Sequence, residues 1–375
     1  MRFGAFFLSQ APASELTPAR ALEQELGQIE LAEELGFDSV WLAEHHFTDY
    51  CVVNDPLTYA AHVAARTSRI RIGLAVSILP LHHPVEIAER CALVDLLSGG
   101  RLDVGLGRGY SGHEFGNFGI AMEERRGRFG EALDVMTRLW TEESVDYEGR
   151  FWSLRDARLY PKPLQRPHPP VYIASSGSPD TIALAAERGY PIIQGVDFLT
   201  PETVAARYEQ YRRAGEEAGR SKLEIAGGLA ASPVTQKVFV AERREDALRI
   251  PEPYAMWRHA RAGQLVSNGS PRSVVEQARR RLRPIKRALT GSSALDWDEM
   301  DWEYLSQFDL YGTPDDCIEK IQRLAEAGMR TLICWFAYGG MPDGHVRSAM
   351  TLFAREVMPA FQDTPVAKRE EVLAG

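Results

Sequence analysis

Short apolar runs alternate along this chain with longer segments of helical spacing, and the alternation keeps a steady beat. Residues 2–8 (RFGAFFL) read as a strand, and 19–35 repeat their apolar positions every three to four residues until Gly36 stops them. Residues 37–43 (FDSVWLA) form the next strand, and 55–68 a helix with Asp55 as cap and Pro56 in its first turn. The step recurs at 70–79 with 83–98, and at 101–107 with 122–140. Strands that are mostly apolar, each followed by a helix, belong to a parallel sheet covered on both faces. Residues 143–169 break the beat with a short hairpin and a proline-rich stretch. It resumes with strand 169–176, helix 178–189, strand 191–196 and helix 201–219, then one or two strands across 224–242. Residues 243–305 read as irregular and charged; helix 313–328, strand 331–337 and helix 344–360 complete the series. Eight β–α units without a Pro/Gly/Ser linker favour an α/β fold, a (β/α)8 TIM barrel with insertions. They favour one domain over residues 1–375 rather than two doubly wound sheets. In such a barrel the chemistry sits at the C-terminal ends of the strands.

Composition narrows the function classes. A net charge of −9 over 375 residues argues against a nucleic-acid or anionic-membrane footprint. The basic run 277–288 is answered by the acidic 295–304, as in a self-paired surface segment, and 258–292 is poor in apolar residues. The stretch 243–305 is therefore expected to be a lid insertion over the barrel mouth. Cys51, Cys91, Cys317 and Cys334 lack metal-ligand spacing and fit a reducing cytoplasm. MRFGAFFLSQ has no signal-peptide pattern, and no apolar run approaches the length of a membrane span.

Three stretches carry candidate chemistry. In GFDSVWLAEHHF (36–47) an apolar strand ends in Glu44, His45 and His46. Adjacent strand residues point to opposite faces, so only one histidine turns to the barrel axis; His45 shares the face of Trp41 and Ala43. A metal site needs two ligands on one side, which neither His45-His46 nor His82-His83 provides, so no metal is expected. A single histidine as general base needs only one correct facing; a satisfied core histidine is the plain alternative. In RLDVGLGRGYSG (101–112), Gly107, Gly109 and Gly112 match dinucleotide-fingerprint spacing, yet the following HEFGNFG reads as a loop where that site requires a helix. Glycines that let backbone approach a flat or anionic ligand, with Arg108 forking onto a phosphate, are the more economical reading. In IASSGSPDT (173–181), hydroxyls around Gly177 precede a helix start and make an anion site; an ordinary cap at Ser178 explains one serine but not the cluster.

These stretches, in order with RFGAFFL, IRIGLAVSILPLHHPVEIAERCALVDLLSGG, YGTPDDCIEKIQ and LFAREVMPAF, resemble the bacterial luciferase-like flavin monooxygenases over nearly the whole chain. The resemblance implies a barrel that binds FMN, with reduced FMN as co-substrate from a separate NAD(P)H:flavin reductase. It implies oxygenation of a small-molecule substrate by O2 through a C(4a)-peroxyflavin. His45 falls on the family's active-site histidine. Arg108, Ser178, Thr181 and the backbone at Gly177 fall on its phosphate site. Ala75–Val76 falls on a non-prolyl cis peptide beneath the flavin. Phe6, Tyr110 and Gln194, with Val76, are expected to line the pocket, argued only from their places at strand ends. A homodimer is implied, and some members pair as heterodimers. Luciferase alpha subunits carry cysteine where this chain has Gly107, so light emission is not implied. Two alternatives stay open: a relative that transfers hydride with a deazaflavin and no oxygen, and a non-catalytic flavin-binding partner subunit. A metal-dependent barrel hydrolase is disfavoured by the geometry of the paired histidines.

Overall fold

Eight parallel strands close into a barrel in the computed structural model, which describes residues 1–12, 16–195, 197–267 and 302–362. The chain runs β1 (Arg2–Phe7), α1 (Pro18–Glu34), β2 (Ser39–Leu42), α2 (Pro56–Arg66), β3 (Arg71–Leu74), β4 (Ser77–Ile78), α3 (Pro84–Leu97) and β5 (Leu102–Gly107). It continues with α4 (Gly112–Asn117), α5 (Arg125–Thr141), the hairpin β6 (Val145–Glu148) and β7 (Ser153–Ala157), β8 (Val171–Ser175), α6 (Pro179–Glu187), β9 (Ile192–Gln194), α7 (Pro201–Glu217), α8 (Lys222–Ala231) and β10 (Val234–Val240). The remainder is α9 (Arg244–Arg249), α10 (Glu252–Ser267), α11 (Trp302–Leu305), β11 (Leu310–Gly312), α12 (Pro314–Glu326), β12 (Thr331–Ala337) and α13 (Asp343–Leu352). Strands β1, β2, β3, β5, β8, β9, β10 and β12 form the barrel wall, and β12 pairs with β1 to close it.

Inward side chains fill the barrel in layers. Trp41 spreads across the floor, edge-on to Tyr172 at 5.3 Å. Gly73 leaves the room, since a Cβ there would run into the indole. One layer up, Phe6 meets Trp335 edge-on at 5.1 Å. This alternation fixes which residues can reach the mouth.

The structure corrects several expectations. The strand expected over 70–79 is interrupted: β3 stops at Leu74, the Ala75–Val76 peptide is cis, and β4 pairs separately with β5. The segment from 224 expected as strand is helix α8, opened by a capping box between Ser221 and Glu224. Gly227 and Gly228, buried in α8, give it little amphipathic signal, and Gly228 sits where Tyr211 leaves no room for a Cβ. HEFGNFG is no simple loop, because residues 112–117 form α4 with Ser111 as cap. The irregular reading of 243–305 fails at its described ends, which hold α9, α10 and α11; most of the expected lid and the basic run 277–288 lie outside the described residues. Among the described residues, no helix is long and apolar enough to cross a membrane.

Candidate functional site

The end of β2 answers why an apolar strand finishes in three polar residues: each has its own carboxylate or imidazole partner. His45 turns to the axis side. Its Nδ1 lies 2.9 Å from Glu114 Oε1, and the same oxygen accepts from the His46 backbone amide at 2.9 Å. Glu114 is fully buried on α4, which Ser111 caps by accepting from the Glu114 amide. With a carboxylate on Nδ1, that nitrogen carries the proton and Nε2 keeps its lone pair. Nε2 lies 3.3 Å from Tyr110 Oη, and the Tyr50 ring stands edge-on to the imidazole at 5.4 Å.

Glu44 and His46 turn the other way. Glu44 Oε1 accepts from His46 Nε2 at 2.9 Å and from His82 Nε2 at 2.7 Å; Oε2 accepts from Ser77 Oγ and the Ile78 amide, both at 3.0 Å. The three ligand-type atoms lie within 4.8 Å of one another, so His82, not His45, is the partner that brings two imidazoles to one side. Here the carboxylate oxygen itself is the hub, and both imidazole nitrogens are spent on it. Burial alone would raise the Glu44 pKa, but the hydrogen bonds from His46, His82 and Ile78 outweigh it and hold it at about 2, below the ordinary 4.5. A depressed carboxyl contributes stability above its unfolded pKa and loses it as pH falls through the folded value. Wild type is therefore expected to exceed Glu44→Gln in unfolding free energy at pH 6 by ~3 kcal/mol, with the gap closing between pH 4.5 and 2. Denaturant titrations across that range check it; a gap independent of pH sinks the assignment.

Across the mouth, the ends of β5 and β8 form a cradle for an anion. Arg108 donates from Nη2 to the Asp180 carbonyl at 3.1 Å, while its buried Nε has no hydrogen-bond partner. Burial, with Arg126 and Arg125 nearby, presses its pKa down. Ser178 is the N-cap of α6 and Pro179 its first residue, as an ordinary cap requires, but the Ser178 side chain makes no capping bond. Thr181 donates its amide to the Ser178 carbonyl at 3.0 Å and Gly177 its amide to Ser175 Oγ at 3.1 Å, which leaves the Ser178 and Asp180 amides for a ligand. Gly177 has φ +97°, and a Cβ there would lie 2.8 Å from Arg207 Nη2. Arg207 also donates to the Ser176 carbonyl at 3.2 Å, and Thr181 is buried one turn into the helix. Between cradle and imidazole, the cis Ala75–Val76 bond faces Gly107, where a Cβ would collide with Val76.

Phe6 sits inside the barrel on Trp335. Gln194 does not join it. Ile193 is the inward residue of β9, reaching to 2.9 Å of where a Gly105 Cβ would be, so alternation turns Gln194 outward to the helices. Four residues escape a reading by strand ends: Glu114, Tyr50, Arg207 and Arg258. Arg258, on α10, reaches in to Asp197 and to Tyr50 Oη at 3.1 Å. The Glu in HEFG and the Arg in α10 sit in segments read as loop or irregular, so periodicity offered no signal for them.

Comparison with known proteins gives the family and the fold. Residues 1–331 match the family model described as luciferase-like monooxygenase. The chain is 26% identical over 366 residues to the alkanal monooxygenase alpha chain of the Kryptophanaron alfredi symbiont, covering 97% of this chain and 99% of that one. It is 34% identical over 248 residues to 4-hydroxyprotoasukamycin monooxygenase of Streptomyces nodosus subsp. asukaensis, covering 66% of each chain. Against an uncharacterised Sinorhizobium fredii protein, 35% identical, the match covers 51% of this chain and 54% of that one. Among solved structures, monooxygenase RslO1 from Streptomyces bottropensis superposes with TM-score 0.79 at 29% identity, over 96% of this chain and 100% of that one. The fold alone is shared, at 22% and 20% identity, with the FMN-bound oxygenating constituent of 3,6-diketocamphane monooxygenase of Pseudomonas putida and with an F420-dependent secondary alcohol dehydrogenase; the TM-scores are 0.73 and 0.72.

Proposed function

The chain belongs to the luciferase-like monooxygenase family, and from that premise we propose that it is the oxygenase of a two-component system. It takes reduced FMN from a separate NAD(P)H:flavin reductase and uses O2 to oxygenate a small organic substrate. The observation that carries this reading is the uncapped start of α6 beside a half-buried Arg108 whose buried Nε has no partner. That donor set fits a flavin phosphate. Arg108, Ser178, Thr181 and the Gly177 backbone hold the phosphate. Ala75 and Val76, with the space left by Gly107, support the ring. Phe6 and Tyr110 line the substrate side; Gln194, turned away, takes no part. Bound reduced FMN supplies the electrons that activate O2.

His45 is the proton-handling residue. Glu114 keeps Nδ1 protonated, so Nε2 is the atom that takes a proton from substrate or flavin and returns it. Tyr110 steadies that lone pair until the substrate arrives. The closed barrel beneath keeps bulk water from the reacting atoms. A cytoplasmic homodimer completes the reading: Leu93, Leu96 and Leu97 expose an apolar row on α3, and all four cysteines are free thiols.

The deazaflavin reading uses the same cradle, so the test compares coenzymes directly. Anaerobic titrations of the full chain with reduced FMN and with reduced F420 give two affinities; oxygen-electrode traces then follow each complex. Tight FMN binding with oxygen uptake supports the proposal. Preference for F420 without oxygen uptake replaces it.

A further inference from the structure

Arg258 is 3% exposed, yet it comes from α10, outside the barrel wall. Its guanidinium lies 5.0 Å from the Trp335 ring centre, above the Phe6–Trp335 layer. Nη1 and Nη2 fork onto Asp197 at 2.5 and 2.9 Å, and Nε donates to Tyr50 Oη at 3.1 Å. Arginine only donates. Tyr50 Oη therefore receives a hydrogen bond and still holds its own proton, for which no acceptor exists among the described residues. Tyr50 is itself 3% exposed, so this unspent donor is held away from bulk water beside the His45 ring. An unused buried hydroxyl is costly unless a ligand supplies the acceptor.

The surroundings limit what that ligand is. Tyr50 and Tyr110 stand edge-on to the His45 imidazole at 5.4 and 5.6 Å, and Trp335 lies under Arg258; flat rings of this kind suit a planar molecule better than a flexible one. Beyond Arg258 lies a small cleft whose walls join the charged Asp197, Lys237, Arg258 and Asp309 to the apolar Phe198, Trp302 and Phe308. Lys237 Nζ lies 3.1 Å from both carboxylates, so the four charges neutralise one another in place.

We infer that the substrate is a compact aromatic molecule carrying a hydroxyl or carbonyl oxygen, and that Tyr50, held by Arg258, donates a hydrogen bond to that oxygen. This rests on the oxygenase reading above and names its substrate class. Tyr50 is a specificity residue; Arg258 is a positioning residue that acts through it.

Calorimetric titration of the full chain with 1-naphthol, 1-methylnaphthalene and decanal tests the inference. Wild type is expected to bind 1-naphthol at least tenfold more tightly than either other probe. Tyr50→Phe removes one oxygen and no packing; it is expected to bring the naphthol-to-methylnaphthalene ratio below threefold with methylnaphthalene affinity unchanged. Arg258→Lys, which keeps the charge but loses the fork, is expected to give an intermediate ratio. Decanal binding as tight as naphthol, an unchanged ratio in Tyr50→Phe, or no binding of any probe each overturn it. FMN affinity is titrated separately: if FMN fails to bind while the naphthol ratio holds, the cofactor reading falls; if FMN binds and the ratio is absent, this inference falls alone.

Discussion

Replacing His45 with alanine is expected to lower turnover by about 10²–10⁴-fold while leaving the affinity for reduced FMN unchanged. His45 is the only imidazole that the β2 alternation turns to the axis side, and Nε2 is its accepting atom. No part of it belongs to the Arg108–Ser178 cradle, so flavin binding is spared. Glu114→Gln separates chemistry from packing. The amide is nearly isosteric, but it lets Nδ1 become the acceptor and moves the ring proton to Nε2. A drop of about 10-fold or more in kcat with unchanged FMN affinity and melting temperature is the expected outcome. Rapid-mixing turnover assays alongside flavin titrations read both quantities. Full activity in both variants would remove His45 from the mechanism.

Arg108→Ala is expected to show the opposite profile. A half-buried guanidinium that forks onto a phosphate contributes charge-assisted bonds worth ~3 kcal/mol together, which corresponds to about a hundredfold weaker FMN binding. The free protein loses little, since Arg108 makes one hydrogen bond among the described residues, to the Asp180 carbonyl, and leaves Nε unused. Arg108→Lys keeps the charge without the fork and should fall between. Activity at saturating FMN should approach wild type, because the arginine's hydrogen bond goes to the Asp180 carbonyl and not to His45, Tyr110 or Glu114. Equilibrium dialysis with reduced FMN under anaerobic conditions checks it. Unchanged affinity in Arg108→Ala would move the phosphate elsewhere, to Arg207 first.

Local pattern was enough for much of this. The apolar-rich runs 37–43 and 101–107 mark strands buried on both faces, and the Asp55-Pro56 and Thr313-Pro314 starts mark helices that the structure caps as expected. Alternation at β2 separates His45 from His46 on the sequence alone, and the two do go to different partners. The same rule applied at β9 would have turned Gln194 outward, because Ile193 is the inward residue there. Residues 222–231 misled because two glycines erase helical periodicity; only the Ser221–Glu224 capping box signalled a helix.

The sequence by itself determined the barrel, the strand ends and the residues at them, because burial period and helix caps act over a few positions. Only the tertiary structure decided the partners. Glu114 stands 69 residues from His45, His82 stands 38 from Glu44, and Arg258 stands 208 from Tyr50. These contacts arise when the barrel closes and brings distant strand ends to one mouth. A buried hydrogen bond is chosen by which donors and acceptors that closure leaves unpaired, and no local pattern records the choice.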